Sequence, residues 1–94
     1  MYLRVVRFTD VDSEHLSGRL SEISKEEGPP EGVKAKSIKL IHDEDQRTAV
    51  VIQSFETAED MAASEAALDA MDPSETPGAR ASVDRGEIKF EREA

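Results

Sequence analysis

Thr48-Ala49-Val50-Val51-Ile52-Gln53-Ser54-Phe55 is the purest β-branched run in the chain. Branched and aromatic side chains pack well on a pleated surface and lose freedom in a helix, so this stretch reads as a strand. Its apolar residues fall on both parities, Val50 and Ile52 against Val51 and Phe55. Successive strand side chains point to opposite faces, so this strand belongs in the middle of a sheet that is covered on both sides. Just upstream, the polar cluster Asp43-Glu44-Asp45-Gln46 separates it from Ala35 to His42, where Ile38 and Leu40 share one face and Ile41 takes the other. Two strands joined by a short polar turn make a hairpin.

Downstream, Thr57 opens a helix, with Asp60 three residues on as an imperfect capping box and Glu59 adding negative charge to the first turn. Its predicted span ends at Met71, before Asp72-Pro73. Met61, Leu68 and Met71 form its stripe, with Ser64 and Ala67 between them, which gives the sheet a thin, flexible surface to pack on. Ser74 to Gly78 is a loop, and Ala79 to Arg92 a long last strand. The phase of that strand changes, because Ala81 and Val83 are odd-numbered while Ile88 and Phe90 are even-numbered. Either a bulge near Arg85-Gly86 restores one face, or the two pairs face opposite sides.

The chain opens with a further strand, Tyr2 to Thr9, also apolar on both parities (Leu3 and Val5, Val6 and Phe8). Asp12 or Ser13 caps a helix after it, Glu14 suits the first turn, and Leu16, Leu20 and Ile23 mark its core side. Gly28-Pro29-Pro30 stops it. The resulting order, βαββαβ, predicts one α+β domain over residues 1–94 of ferredoxin-like layout: an antiparallel four-stranded sheet, order 4-1-3-2, with both helices on one face. Strands one and three are then central, and two helices cover only one of their faces. The other would be an exposed apolar sheet, so a second copy packing sheet to sheet is the expected cover.

Composition agrees. A 94-residue chain buries only about 60 to 65% of its unfolded surface, and without cysteine it has no disulfide to strengthen it, so association is the remaining common remedy. The absence of cysteine also suits a reducing, cytoplasmic compartment. A net charge of -9, from 21 acidic and 12 basic residues, repels phosphates and anionic lipid, which argues against nucleic-acid or membrane partners. Met1 to Arg7 has no signal-peptide pattern, and no apolar stretch approaches the roughly 20 residues of a membrane helix.

The element order, Val5-Val6-Arg7-Phe8 at the start, Phe55-Glu56-Thr57-Ala58-Glu59-Asp60-Met61 entering helix two, and Thr76-Pro77-Gly78-Ala79-Arg80-Ala81-Ser82-Val83 leading into the last strand together resemble the antibiotic biosynthesis monooxygenase-like proteins of the dimeric α/β-barrel superfamily. The resemblance spans nearly the whole chain. It implies a homodimeric barrel and, for an enzyme, cofactor-independent oxygenation of aromatic, polyketide-like substrates. The family's pockets use Asn, Trp, Tyr, His or Arg, whereas this chain has no Trp, no Asn and one Tyr at position 2. No catalytic set transfers as a unit.

Read residue by residue, the two histidines are the default acid-base candidates. His15 sits in an exposed first helical turn. His42 shares strand phase with Ile38 and Leu40, so it is either a plain hairpin-end residue or the catalytic candidate pointing into a cavity. Arg4 and Arg7 lie in a central strand, where a charge must be paired or bound. Either Asp84 or Glu87 on the neighbouring strand neutralises them, or a guanidinium anchors an anionic or phenolic ligand. Arg80 and Ser82 share that ambiguity, and Met61 and Leu68 would line the apolar part of such a site. His42-Asp43-Glu44-Asp45 and Asp10, Asp12 and Glu14 lack metal-site spacing, and no phosphate loop or nucleophile motif occurs, so no metal or cofactor is expected.

The leading expectation is a monooxygenase-like dimeric barrel that binds a small, largely apolar molecule between sheet and helices. The alternatives are a cofactor-independent monooxygenase or isomerase of a phenolic substrate, with His42 paired to Arg4 or Arg80, and a structural or regulatory dimer without a ligand.

Overall fold

The computed structural model describes residues 1–23, 25, 32–70 and 76–93, with only the backbone of Ile23. The elements run β1 (Tyr2–Thr9), α1 (Ser13–Ile23), β2 (Ser37–Asp43), β3 (Thr48–Phe55), α2 (Ala58–Asp69) and β4 (Ala79–Glu87). The strands form one antiparallel sheet in the order β2-β3-β1-β4. Counted from the β4 edge, the neighbours run 4-1-3-2. The two strands apolar on both parities, β1 and β3, are central.

Register fixes the faces. Val6 lies opposite Val51 and Val83, Arg4 opposite Gln53 and Arg85, and Phe8 opposite Ala49. On β2, Leu40 pairs with Val51 and His42 with Ala49. Directly paired residues share a face. Val6, Phe8 and Ala49 therefore form the covered face with Leu16 of α1 and Val11 of the preceding loop, and Leu40, Val51 and Val83 pack at its margin. Helix α2 lies over the same face, since its Glu65 and Asp69 reach Arg4. Both helices cover one side. Leu3, Val5, Val50, Ile52 and Ile41 point to the other, where Ile41 is 54% exposed.

Local chemistry explains the helix starts. Thr57 is the N-cap of α2, its Oγ1 accepting from the Asp60 amide at 3.0 Å. Ahead of α1, an Asp12 carboxylate oxygen accepts from the Glu14 amide at 3.2 Å. Ser64, fully buried, ties α2 to the chain entering β2: its hydroxyl donates to the Asp60 carbonyl at 2.7 Å and accepts from the Lys34 amide at 2.8 Å. A small side chain in the middle of α2 thus serves as a bolt between layers.

Several expectations change. The bulge sits at Ala81, because Arg7 pairs with Ser82 but Phe8 with Arg80, while Gly86 stays in regular register opposite Leu3. The last strand stops at Glu87, so Ile88 and Phe90 lie beyond it and the proposed phase correction between the two pairs is not needed. Strand β2 starts at Ser37 instead of Ala35 and includes Asp43. Leu16 is buried as the helical spacing predicts, but Leu20 is 41% exposed, so the core stripe of α1 is narrower than its period suggests. The predicted stop at Gly28-Pro29-Pro30, the stripe residue Met71 and the break at Asp72-Pro73 lie outside the described residues.

Candidate functional site

The covered face carries one feature a plain core lacks, a buried arginine. Arg4 is only 4% exposed. Its β1 position places it under α2, whose residues Met61, Glu65, Leu68 and Asp69 fall at the i, i+4, i+7 and i+8 spacing of a single helix face. Arg4 Nη1 donates to Gln53 Oε1 at 3.2 Å, and Nη2 to Asp69 Oδ1 at 3.4 Å. Its Nε lies 3.9 Å from Glu65 Oε1, an ion pair too long for a hydrogen bond. Both atoms are buried without a hydrogen-bond partner among the described residues.

Two more guanidinium groups complete the cluster. Arg80 Nη1 donates to Asp69 Oδ1 at 2.8 Å, and Arg85 Nε stands 3.2 Å from Glu65 Oε1. Burial, followed by the repulsion of Arg80, lowers the Arg4 pKa, while Asp69 and Glu65 act in the opposite sense. Asp69 is held below the ordinary carboxylate value, first by its hydrogen bond from Arg80. The carboxylates that neutralise Arg4 thus come from α2. Asp84 cannot serve, because it pairs with Val5 and faces the other side, and Glu87 binds Lys89 at 2.7 Å. Arg7 also lies on the open face, opposite Val50 and Ser82.

Among the residues singled out in the sequence, Arg4 and Arg80 meet on one carboxylate oxygen of Asp69. Met61 and Leu68 are half-buried on the helix face that carries Glu65 and Asp69. Ser82 lies opposite Arg7 on the open face and does not join them. His42 is on the covered face but at the β2 edge, and its Nε2 is buried without a hydrogen-bond partner among the described residues. Three interstrand steps separate it from Arg80, roughly 14 Å, and two strands plus four residues of rise separate it from Arg4, roughly 17 Å. Within one chain, the base-and-guanidinium pair expected for a phenolic substrate does not assemble.

The sequence reading passed over Gln53, Glu65, Asp69 and Arg85. Glu65 and Asp69 did carry a signal: acidic residues at i, i+4 on the same stripe as Met61 and Leu68 are out of place on a core-facing surface. Elsewhere, His15 is exposed, its Nε2 3.0 Å from the Thr76 carbonyl oxygen. The acidic turn after β2 is closed internally, Asp43 accepting from the Gln46 amide and side chain, which holds its carboxyl below the usual range. Among the described residues, no three His, Asp or Glu side chains gather to hold a metal, and no helix is long and apolar enough to cross a membrane. A shallow, open depression along β4 is lined by Leu3, Val5, Asp84, Arg85, Gly86, Glu87 and Ile88, and Arg85 is the one residue it shares with the Arg4 cluster.

Compared with known protein families, with curated proteins and with solved structures, the chain finds no match.

Proposed function

We propose that this chain works as a homodimeric α/β barrel of the monooxygenase-like kind, and that it holds a small, largely apolar, aromatic or polyketide-like molecule between its sheet and helix α2. The observation that carries the binding reading is Arg4: a guanidinium removed from water, its Nε without a hydrogen-bond partner among the described residues, beneath a helix face that also bears Met61 and Leu68. Ordinary cores avoid such a group, because a buried charge costs several kcal/mol unless fully paired. A ligand oxygen would complete its bonding.

The dimer reading rests on the open face. Leu3, Val5, Val50 and Ile52 form its centre, and its charged strand residues are Arg7, Lys39, Asp43 and Asp84, two of each sign. A chain of net charge -9 that keeps one sheet face neutral can bring two such faces together with little repulsion. The distance from His42 to the arginines makes binding the better reading than oxygenation by one protomer.

Thermal denaturation of the native protein with a panel of phenols, hydroquinones and aromatic acids tests this, alongside oxygen uptake with the same compounds. Binding raises the melting temperature without oxygen consumption, and Arg4→Met abolishes the rise. A panel without effect on the melting temperature leaves a structural dimer, with Arg4 serving α2 alone. Oxygen consumption that is lost in His42→Ala restores the enzymatic reading.

A further inference from the structure

In a chain with only 12 basic residues and an excess of acid, three arginines converge on one spot. Arg4 and Arg85 are directly opposed across β1 and β4, and Arg80 follows beyond the Ala81 bulge, which returns it to the covered face. Like charges directly opposite in a sheet are destabilising, so this arrangement requires anions above it. Helix α2 supplies two. Glu65 Oε1 lies between Arg4 Nε at 3.9 Å and Arg85 Nε at 3.2 Å, and Asp69 Oδ1 is shared by Arg4 Nη2 and Arg80 Nη1. Among the described residues, three guanidinium groups against two carboxylates leave one positive charge uncompensated.

The geometry of Glu65 matters most. Its Oε1 and the Arg4 Nε are both out of water and both without a hydrogen-bond partner among the described residues. The carboxylate is near enough to neutralise and too far to bond, so it fills the place of an acceptor without satisfying the donor. A planar carboxylate can take Nε–H and an Nη–H of one arginine as a parallel pair, a geometry a single distant oxygen does not give. On the β4 side, Arg80 and Arg85 are exposed among the described residues.

Resting on the binding reading above, we propose that the Arg4–Arg80–Arg85 cluster receives one carboxylate group of the ligand, with Glu65 as the built-in carboxylate that it displaces. The ligand class is an apolar monocarboxylate, its apolar part lying along Met61 and Leu68. One uncompensated charge matches one negative charge, and the net -9 of the chain opposes a dianion more strongly than a monoanion. Inorganic phosphate is accordingly a poor ligand.

Titration of the full-length protein in a carboxylate-free buffer, followed by the arginine side-chain N–H signals in ¹H–¹⁵N spectra, tests the proposal with sodium benzoate, benzamide and inorganic phosphate at matched ionic strength. Benzoate should shift the Arg4 Nε–H signal saturably, and benzamide and phosphate should bind at least tenfold more weakly. Glu65→Gln should tighten benzoate at least tenfold by removing the competing carboxylate. Arg85→Met, at an exposed position, should weaken it severalfold. Equal saturation by benzamide and benzoate would overturn the carboxylate assignment while leaving the proposed binding under α2 in place. No saturable shift with any probe, in the native chain and in Glu65→Gln alike, would overturn both readings. Weaker benzoate binding in folded Glu65→Gln would remove the displacement step.

Discussion

The two faces of strand β1 differ more than their sequences do. From Leu3 to Phe8, Leu3, Val5 and Arg7 alternate with Arg4, Val6 and Phe8, so over these six residues each face has two apolar or aromatic residues and one arginine. On the covered face the arginine is buried and held by Gln53, Glu65 and Asp69. On the open face Arg7 is exposed at the strand's far end, opposite Val50 and Ser82. Composition therefore does not separate core from surface here. What separates them is which face α2 lays its acidic stripe upon.

The largest expected effect is on the covered face. Phe8→Ala removes an aromatic ring from the cluster of Val6, Val11, Leu16 and Ala49 and should cost about 3–5 kcal/mol in urea denaturation. Arg4→Ala should follow at about 3 kcal/mol, since it leaves Gln53 and part of Glu65 without their partner. If Arg4→Ala proves neutral, the network contributes no net stability, and the presence of a buried charge is better explained by binding alone.

Acid provides a gentler probe of the same face. Asp69 titrates below its ordinary value of 3.8 because it is hydrogen-bonded to Arg80 in the folded chain. A carboxyl depressed on folding contributes stability above its unfolded pKa, and that contribution disappears as pH falls through the lower folded value. Asp69→Asn should therefore lose part of the stability present at neutral pH and show a shallower decline below about pH 4. An unchanged pH profile would mean that the Arg80 contact is not formed in solution. Smaller still is the cap: Thr57→Ala should cost about 1 kcal/mol, because the Asp60 amide loses its acceptor.

Much of this was legible in the sequence, for reasons that lie in period and punctuation. Doubly apolar parity placed β1 and β3 at the centre, and Thr57 and Asp12 marked the helix starts through local hydrogen bonds that a few residues specify. The site was legible only by half. Arg4 and Arg80 stood out because charges in strands need partners, but those partners were sought on the adjacent strand, where Asp84 has the wrong parity. The true partners, Glu65 and Asp69, are about sixty residues away in sequence from Arg4, and only the packing of α2 brings them close. The bulge escaped because Ala81 carries no turn signal, whereas Gly86, which does, is regular. His42 has the parity expected of a covered-face residue, yet period two says nothing about distance across a sheet, and the β2 edge keeps it from the arginines.

The contrast between the faces is sharpest if the open one is covered by a second copy. Sedimentation velocity at micromolar concentration, on the native chain and on Ile52→Lys, measures this directly. Ile52 lies on the open face opposite Val5, so a lysine there leaves the covered core untouched and places a charge in the centre of the apolar patch. The account predicts that the native chain sediments at twice the 10.3 kDa protomer mass and that Ile52→Lys sediments as a folded protomer. A native chain that sediments at 10.3 kDa would contradict it.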